Sequence, residues 1–294
     1  MNISKTHLWL SLVSLIWGLN FSVMKVGVLT LGPLAFAFLR FALSGFLMFV
    51  VLLLLEKNPW VSWRDVPYFF FLGTLGFGVY QPLWSYGLKL SLASHSALIL
   101  SISPMVVSLI TFFRKEELVR GINLLGVCLS FLGVVFLVLP QGALRFSSGI
   151  FLGDSLTFIA ALCWGLYSYF GKKAVLKYSP LKSGTWSILL GLVTMFPICF
   201  RDLSRIDEGN FHMTLILVLL YGTVLSSLVS YLIWMKGLKE IGAARTSSYQ
   251  YLTQVVGVVG AWIFFREPLH WQFFLGMFLI SLGLWLSQHR PSLL

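Results

Sequence analysis

Polar and aromatic side chains set inside long apolar runs are the residues of this chain that could do chemistry. Trp17 is followed by Gly18 and Asn20, and Trp164 by Gly165 and Tyr167, 147 residues later. Gln81 and Trp84 lie three residues apart, as do Tyr231 and Trp234. Ser101, Tyr251, Gln254 and Arg40 interrupt other runs. The chemistry these types support is binding. Indole and phenol faces cover the apolar part of a solute, the amides of Asn20, Gln81 and Gln254 bond its polar part, and a guanidinium pairs with a carboxylate. Polar groups in lipid-facing segments are costly, so they belong against a cavity or one another.

Bond-breaking chemistry lacks its usual sets. His7, His95, His212, His270 and His289 are spread over different segments, and no HExxH, paired carboxylate or Ser-His-Asp arrangement stands in the sequence. Cys128, Cys163 and Cys199 are scattered, with no metal or disulfide spacing. The sequence therefore asks for no cofactor and no metal, and an intramembrane enzyme is disfavoured.

The elements that must position these residues are helices in a membrane. The chain is 58% hydrophobic and only 11% charged, against about 25% charged in soluble domains. Ten segments are long and apolar enough to span: 7–27, 33–55, 66–88, 92–113, 120–139, 150–171, 182–200, 212–236, 244–264 and 270–288. The first lacks a small-residue cleavage pattern and reads as a retained span. Backbone groups in lipid must be satisfied internally, so the fold class is all-α, an integral membrane protein of ten transmembrane helices. Lys and Arg fix its orientation. With a cytoplasmic N-terminus, 14 of the 21 fall on the cytoplasmic side and 6 opposite, with Arg40 inside a span. Both termini are then cytoplasmic. The net charge of +11 follows from this topology. No clustered basic face suggests nucleic acid.

The second half repeats the first. At a shift of 150, Trp84, Gly87, Leu88, Lys89, Ala93, Val106, Glu117, Leu125, Gly126, Leu129, Leu132 and Gly133 meet identical residues, 12 in all without a gap. The repeats are 1–141 and 142–294. Five spans in each make them inverted, and two inverted halves around a midplane site are the architecture of an alternating-access transporter.

The repeat also compares faces. Ser94, Ala97, Ser101, Pro104 and Ser108 match Ala244, Ser247, Tyr251, Gln254 and Val258. The first face is small and suits close packing, whereas Tyr251 and Gln254 suit a cavity. Pro82 predicts a kink in the third span. Arg40, roughly 10 Å into its span, either pairs structurally with carbonyls and the interface or faces a substrate carboxylate. Glu117 and Glu267 each precede the last span of their copy, where a carboxylate complements the helix N-terminus. Asp154 reads as a helix cap and His95 as an interface residue.

The segments from Ile16 to Phe41, Phe113 to Val135 and Phe264 to Gly283 resemble the EamA-type family of the drug/metabolite transporter superfamily. The carrying motifs are Trp17-Gly18-Leu19-Asn20-Phe21, Leu39-Arg40-Phe41 and the acid before each final span. The resemblance implies a carrier in the bacterial inner membrane that exports amino acids and related metabolites, or moves S-adenosylmethionine or nucleotide-linked compounds. It implies a cavity lined by Trp17, Asn20, Gln81, Trp84, Ser101, Trp164, Tyr167, Trp234, Tyr251 and Gln254, to which the carboxylate reading adds Arg40. Tyr167 departs from a Trp-Gly-Asn form, and Leu118 stands where the second copy has Pro268. The partners expected are a small-molecule solute and membrane lipid, with a proton or counter-solute as the open choices for coupling.

Overall fold

In the computed structural model, the described residues are 3–91, 93–115, 117, 119–138, 148–207, 209, 211–265 and 270–289. Glu267, Pro268, Leu118, Arg145, Arg266 and Arg290 lie outside them, as do the side chains of Lys25, Ser94, His95 and Ala97.

Each of the ten apolar segments is helical over nearly all of its described residues. The chain runs as α1 (Ile3–Leu31), α2 (Pro33–Leu55), a 3-10 turn (Trp63–Asp65), α3 (Val66–Gly73), a π-helical stretch (Thr74–Val79) and α4 (Tyr80–Leu90). It continues as α5 (Ala93–Leu100), α6 (Ser103–Arg114), α7 (Gly121–Val138), α8 (Ser148–Lys177), α9 (Pro180–Leu203) and α10 (Met213–Leu220). A second π-helical stretch (Tyr221–Val229) leads into α11 (Ser230–Glu240), followed by α12 (Ala243–Ser248), α13 (Gln250–Phe265) and α14 (Trp271–Gln288). Five continuous helices, Pro33–Leu55, Gly149–Lys177, Pro180–Leu203, Met213–Glu240 and Trp271–Gln288, are long and apolar enough to cross a membrane. Leu98–Arg114 and Gly121–Leu137 are shorter apolar helices.

Four of the apolar segments are interrupted, and the interruptions have local causes. Pro82 has no N–H and its ring crowds the carbonyl four residues earlier, so the turn before it widens. The result is the π-helical Thr74–Val79 rather than a simple kink. The second wide stretch ends at the matched positions, where Ser230 Oγ donates to Leu225 O, five residues back, at 2.8 Å. Pro104 opens α6, and Ser101 Oγ turns back to donate to Leu98 O at 2.5 Å. The break between α12 and α13 falls at Tyr249, whose carbonyl accepts from Ser14 Oγ of α1 at 2.8 Å.

Packing uses the glycines of the repeat. A Cβ on Gly126 of α7 would stand 2.5 Å from Gly283 O of α14, and one on Gly133 would stand 2.7 Å from Gly276 O. The two backbones therefore touch, as small residues allow in membrane helices. Asn123 fixes one end of this pair by donating Nδ2 to Leu286 O, Ser287 O and His289 O at 3.0–3.2 Å. The main core joins α2, α8, α9 and α11 around Phe41, Phe77, Trp164, Tyr167, Ile188 and Trp234. Leu29, Leu54, Phe113 and Phe151 are among the apolar side chains left on the outside, as a lipid-facing surface requires.

Candidate solute-binding cavity

A cavity of about 90 Å³ lies among helices drawn from both ends of the sequence. α1 gives Trp17 and Asn20, α2 gives Arg40, α4 gives Tyr80, Gln81 and Trp84, and α5 gives Leu100. α8 gives Trp164, the second π-helical stretch Ser226, α11 Tyr231, and α13 Gln250, Thr253 and Gln254.

The π-helical stretch holds α1 in place. Its shifted hydrogen-bond ladder presents Ser226 O to Trp17 Nε1, which donates at 2.9 Å. Ser226 Oγ accepts from Asn20 Nδ2 at 2.8 Å. Tyr221 OH donates to Ile16 O at 2.7 Å, one turn earlier on the same pair of elements. One irregular stretch thus sets the rotamers of the first two site residues.

Aromatic rings build one wall. Trp17 meets Trp164 and Tyr231 at 5.7 Å between centroids, and Tyr80 meets Trp164 at 5.3 Å. Trp234 packs behind, 5.1 Å from Trp17 and 5.6 Å from Trp164. These spacings are those of favourable ring pairs.

Arg40 builds the polar end. It is 5% exposed, and among the described residues it is the only buried charged side chain. Its Nη1 and Nη2 reach Met24 Sδ and Gln81 Oε1, each at 3.5 Å, and its Cζ lies 4.3 Å from the Phe41 ring centroid. Charge-assisted hydrogen bonds are usually about 2.7–2.9 Å, so both contacts are long. Its stem lies on Gly222, where a Cβ would approach Arg40 Cδ to 2.8 Å.

Several polar atoms of the wall have no protein partner. They are Asn20 Oδ1, Arg40 Nε, Trp164 Nε1, Gln250 Oε1 and Thr253 Oγ1. Buried polar groups are nearly always hydrogen-bonded, so orphaned atoms that face a cavity can take their partners from a solute in it.

Of the residues singled out from the sequence, Trp17, Asn20, Arg40, Gln81, Trp84, Trp164 and Gln254 line the cavity together. Four do not. Ser101 bonds within its own turn. Tyr167 packs on Phe77 and over Gly76. Trp234 lies behind the aromatic wall, and Tyr251 is fully buried with Val127, Val134 and Ile280. For Tyr251 the break at Tyr249 resets the helical phase, so its ring turns to α7 while Gln254 stays on the cavity. Sequence reasoning passed over Tyr80, Leu100, Ser226, Gln250 and Thr253 as site residues, and it noted Tyr231 without placing it in the cavity. Gln250, Thr253 and Gln254 at helical three- and four-residue steps were the available signal.

The acids also differ from expectation. Glu117 caps a helix, but it is α12 rather than the last span of its own copy. Its carboxylate accepts from the amides of Ala243 at 2.6 Å and Ala244 at 3.2 Å. Asp154 stands inside α8 rather than at its first residue, and it accepts from the Ser91 hydroxyl at the end of α4. Glu117 faces a second, larger cavity of about 400 Å³, with Lys172, Lys239, Glu240 and Arg245 around it.

The comparisons with known proteins come from three directions. A crystallographically solved chain has the same fold, with a TM-score of 0.80 at 15% sequence identity, covering 96% of this chain and 95% of that one. An uncharacterized transporter of Archaeoglobus fulgidus is 28% identical, covering 96% of this chain and 98% of that protein. A probable amino-acid metabolite efflux pump of Escherichia coli is 30% identical, covering 94% and 92%. The model of the EamA-like transporter family matches residues 4–139 and again 151–288. With the membrane-length helices and the cavity between them, these matches make the chain a multi-pass membrane transporter, not an enzyme, and it belongs to the EamA-like transporter family.

Proposed function

We propose that this protein is a secondary transporter that exports amino acids or amino-acid-derived metabolites across the bacterial inner membrane by alternating access. The carrying observation is the cavity itself: a lining of aromatic rings, amides and a guanidinium, assembled from helices of both sequence repeats. In this reading ten helices cross the membrane as two inverted sets of five, 1–141 and 142–294, with both termini cytoplasmic. The wide π-helical turns at matched places in the repeats support it. Such turns are the soft points about which helices can rock. The name of the Escherichia coli relative supports the metabolite class.

The alternative of S-adenosylmethionine or nucleotide-linked solutes draws less support. The described wall carries a cation and no carboxylate, which opposes a sulfonium. Coupling to a counter-solute fits better than proton antiport. The ionisable groups of the described wall are Arg40, Tyr80 and Tyr231, and arginine and tyrosine hold their protons at neutral pH.

Counterflow of labelled amino acids and their derivatives in proteoliposomes tests the proposal. Saturable exchange that is lost in Trp17→Ala and Gln254→Ala is the expected result. The absence of saturable movement for every amino acid and derivative would reject it.

A further inference from the structure

We infer that the solute binds as a monoanion: a compact carboxylate that carries a neutral hydrogen-bond donor, such as a hydroxyl or an acylated N–H, and no free ammonium. The inference rests on the transport reading above and narrows its solute class.

The first argument is charge. Arg40 is buried, and its partners are a thioether, an amide oxygen and a ring, all neutral. Its Nε has no partner. A guanidinium held in low dielectric on long neutral contacts is undercompensated, and a carboxylate that meets its fork with two short bonds supplies what is missing. The described wall offers no carboxylate to balance an incoming ammonium. A zwitterion would trade the ammonium's hydration for ring faces and neutral oxygens, and it would do so beside an existing cation.

The second argument is hydrogen-bond type. Two of the orphaned atoms, Asn20 Oδ1 and Gln250 Oε1, are amide oxygens and can only accept. Each calls for a donor on the solute. A hydroxyl or a secondary amide N–H supplies one without bringing charge. A carboxylate for Arg40 and a neutral donor for Asn20 or Gln250 are then two groups of one small molecule, with its apolar body on the rings of Trp17 and Trp164, which line the same cavity. The ring pair is already fixed by the Trp17–Ser226 bond.

The test uses three compounds of one branched skeleton: 2-hydroxyisovalerate, valine and valinamide, which at pH 7 are an anion, a zwitterion and predominantly a cation. Their competition is read by thermal shift and by counterflow on the full chain in proteoliposomes. The expected order is hydroxy acid first, at least tenfold tighter than valine, with valinamide last. Arg40→Gln should erase the preference and Arg40→Lys should keep part of it. Should Arg40→Gln not fold, the wild-type ranking still decides, and Gly222→Ala provides a second perturbation by pressing on the Arg40 stem. Valine equal to or tighter than the hydroxy acid overturns the inference while leaving an amino-acid carrier standing. Binding of none of the three overturns it as well. Saturable movement of other amino acids or derivatives in that case would preserve the transport reading, and no such movement would remove both.

Discussion

Glu117 accepts a hydrogen bond from Lys172 Nζ at 2.8 Å while the same carboxylate caps the amides of Ala243 and Ala244. One side chain between α6 and α7 thereby ties α8 and α12 together. The carboxylate side chain is only 9% exposed and the lysine 24%, so water screens the pair less than it screens a surface bridge. Gly242 makes the approach possible. Its φ is +91°, and a Cβ there would stand 2.7 Å from Glu117 Oε2.

Glu117→Ala should therefore remove a helix cap and an ion pair together, at a cost of about 1–3 kcal/mol. Glu117→Gln keeps an acceptor for the amides and should cost less. Thermal unfolding of the purified protein in detergent checks the order: wild type, then Gln, then Ala. An alanine variant as stable as wild type would remove the tie from the account of the fold.

The α7–α14 contact gives a second, independent prediction. A Cβ at Gly283 would meet Gly126 O at 2.4 Å and Ser130 Oγ at 2.4 Å. The first neighbour is backbone and cannot step aside. Gly283→Ala should destabilise by about 1–3 kcal/mol through overpacking. Gly121→Ala, at the open start of α7 with nothing within 4 Å, is the control and should be neutral or slightly stabilising. Retention of a monodisperse gel-filtration peak after heating distinguishes them.

The acid end of the stability profile belongs partly to Asp65. Its carboxyl is held below the ordinary 3.8 by hydrogen bonds from Lys177 and then Tyr178. The lysine bond measures 2.7 Å. A depressed folded-state value means the contribution is present above pH 3.8 and lost as pH falls through the lower folded value. Asp65→Asn should lower stability slightly at pH 7, where the contribution is present, and the gap from wild type should close as pH falls below 3.8. The effect is small because water reaches the pair. Unfolding temperatures measured from pH 7 to pH 3 for both proteins decide it. Parallel curves would mean the bond contributes nothing.

Legibility in the sequence divides along physical lines. Helix positions came from hydropathy, because lipid forces each backbone to satisfy itself, and every expected segment is helical over nearly all of its described residues. The cavity positions that were legible, Trp17, Asn20, Arg40, Gln81, Trp84, Trp164 and Gln254, are large or polar groups inside apolar segments, where bulk or burial cost makes them conspicuous. Tyr251 lies off this cavity because the break at Tyr249 interrupts the helical phase that the sequence comparison carried from Ala244. Ser226 was missed because serine is small enough to be tolerated in any membrane helix. Its importance comes from the π-helical ladder, which no local pattern announced. Glu117 was read as a helix cap, but its helix lies 126 residues away from it in sequence, and local reasoning reaches only the nearest N-terminus.

Ser226 and Ser227 carry the last prediction, because they are adjacent, buried and chemically identical yet differently placed. Ser226 Oγ holds Asn20 on the cavity wall at 2.8 Å. Ser227 Oγ is buried and has no partner. Ser226→Ala frees the Asn20 amide to rotate but spares the carbonyl that fixes Trp17. The lost hydrogen bond, about 1 kcal/mol, corresponds to roughly fivefold weaker solute binding. Ser227→Ala removes a buried, unsatisfied hydroxyl and should leave binding unchanged with stability equal or higher. Half-saturation constants from counterflow, paired with melting temperatures, separate the two effects. Equal solute affinities in the two variants would place Asn20 outside the binding wall and leave the Ser226 bond as packing alone.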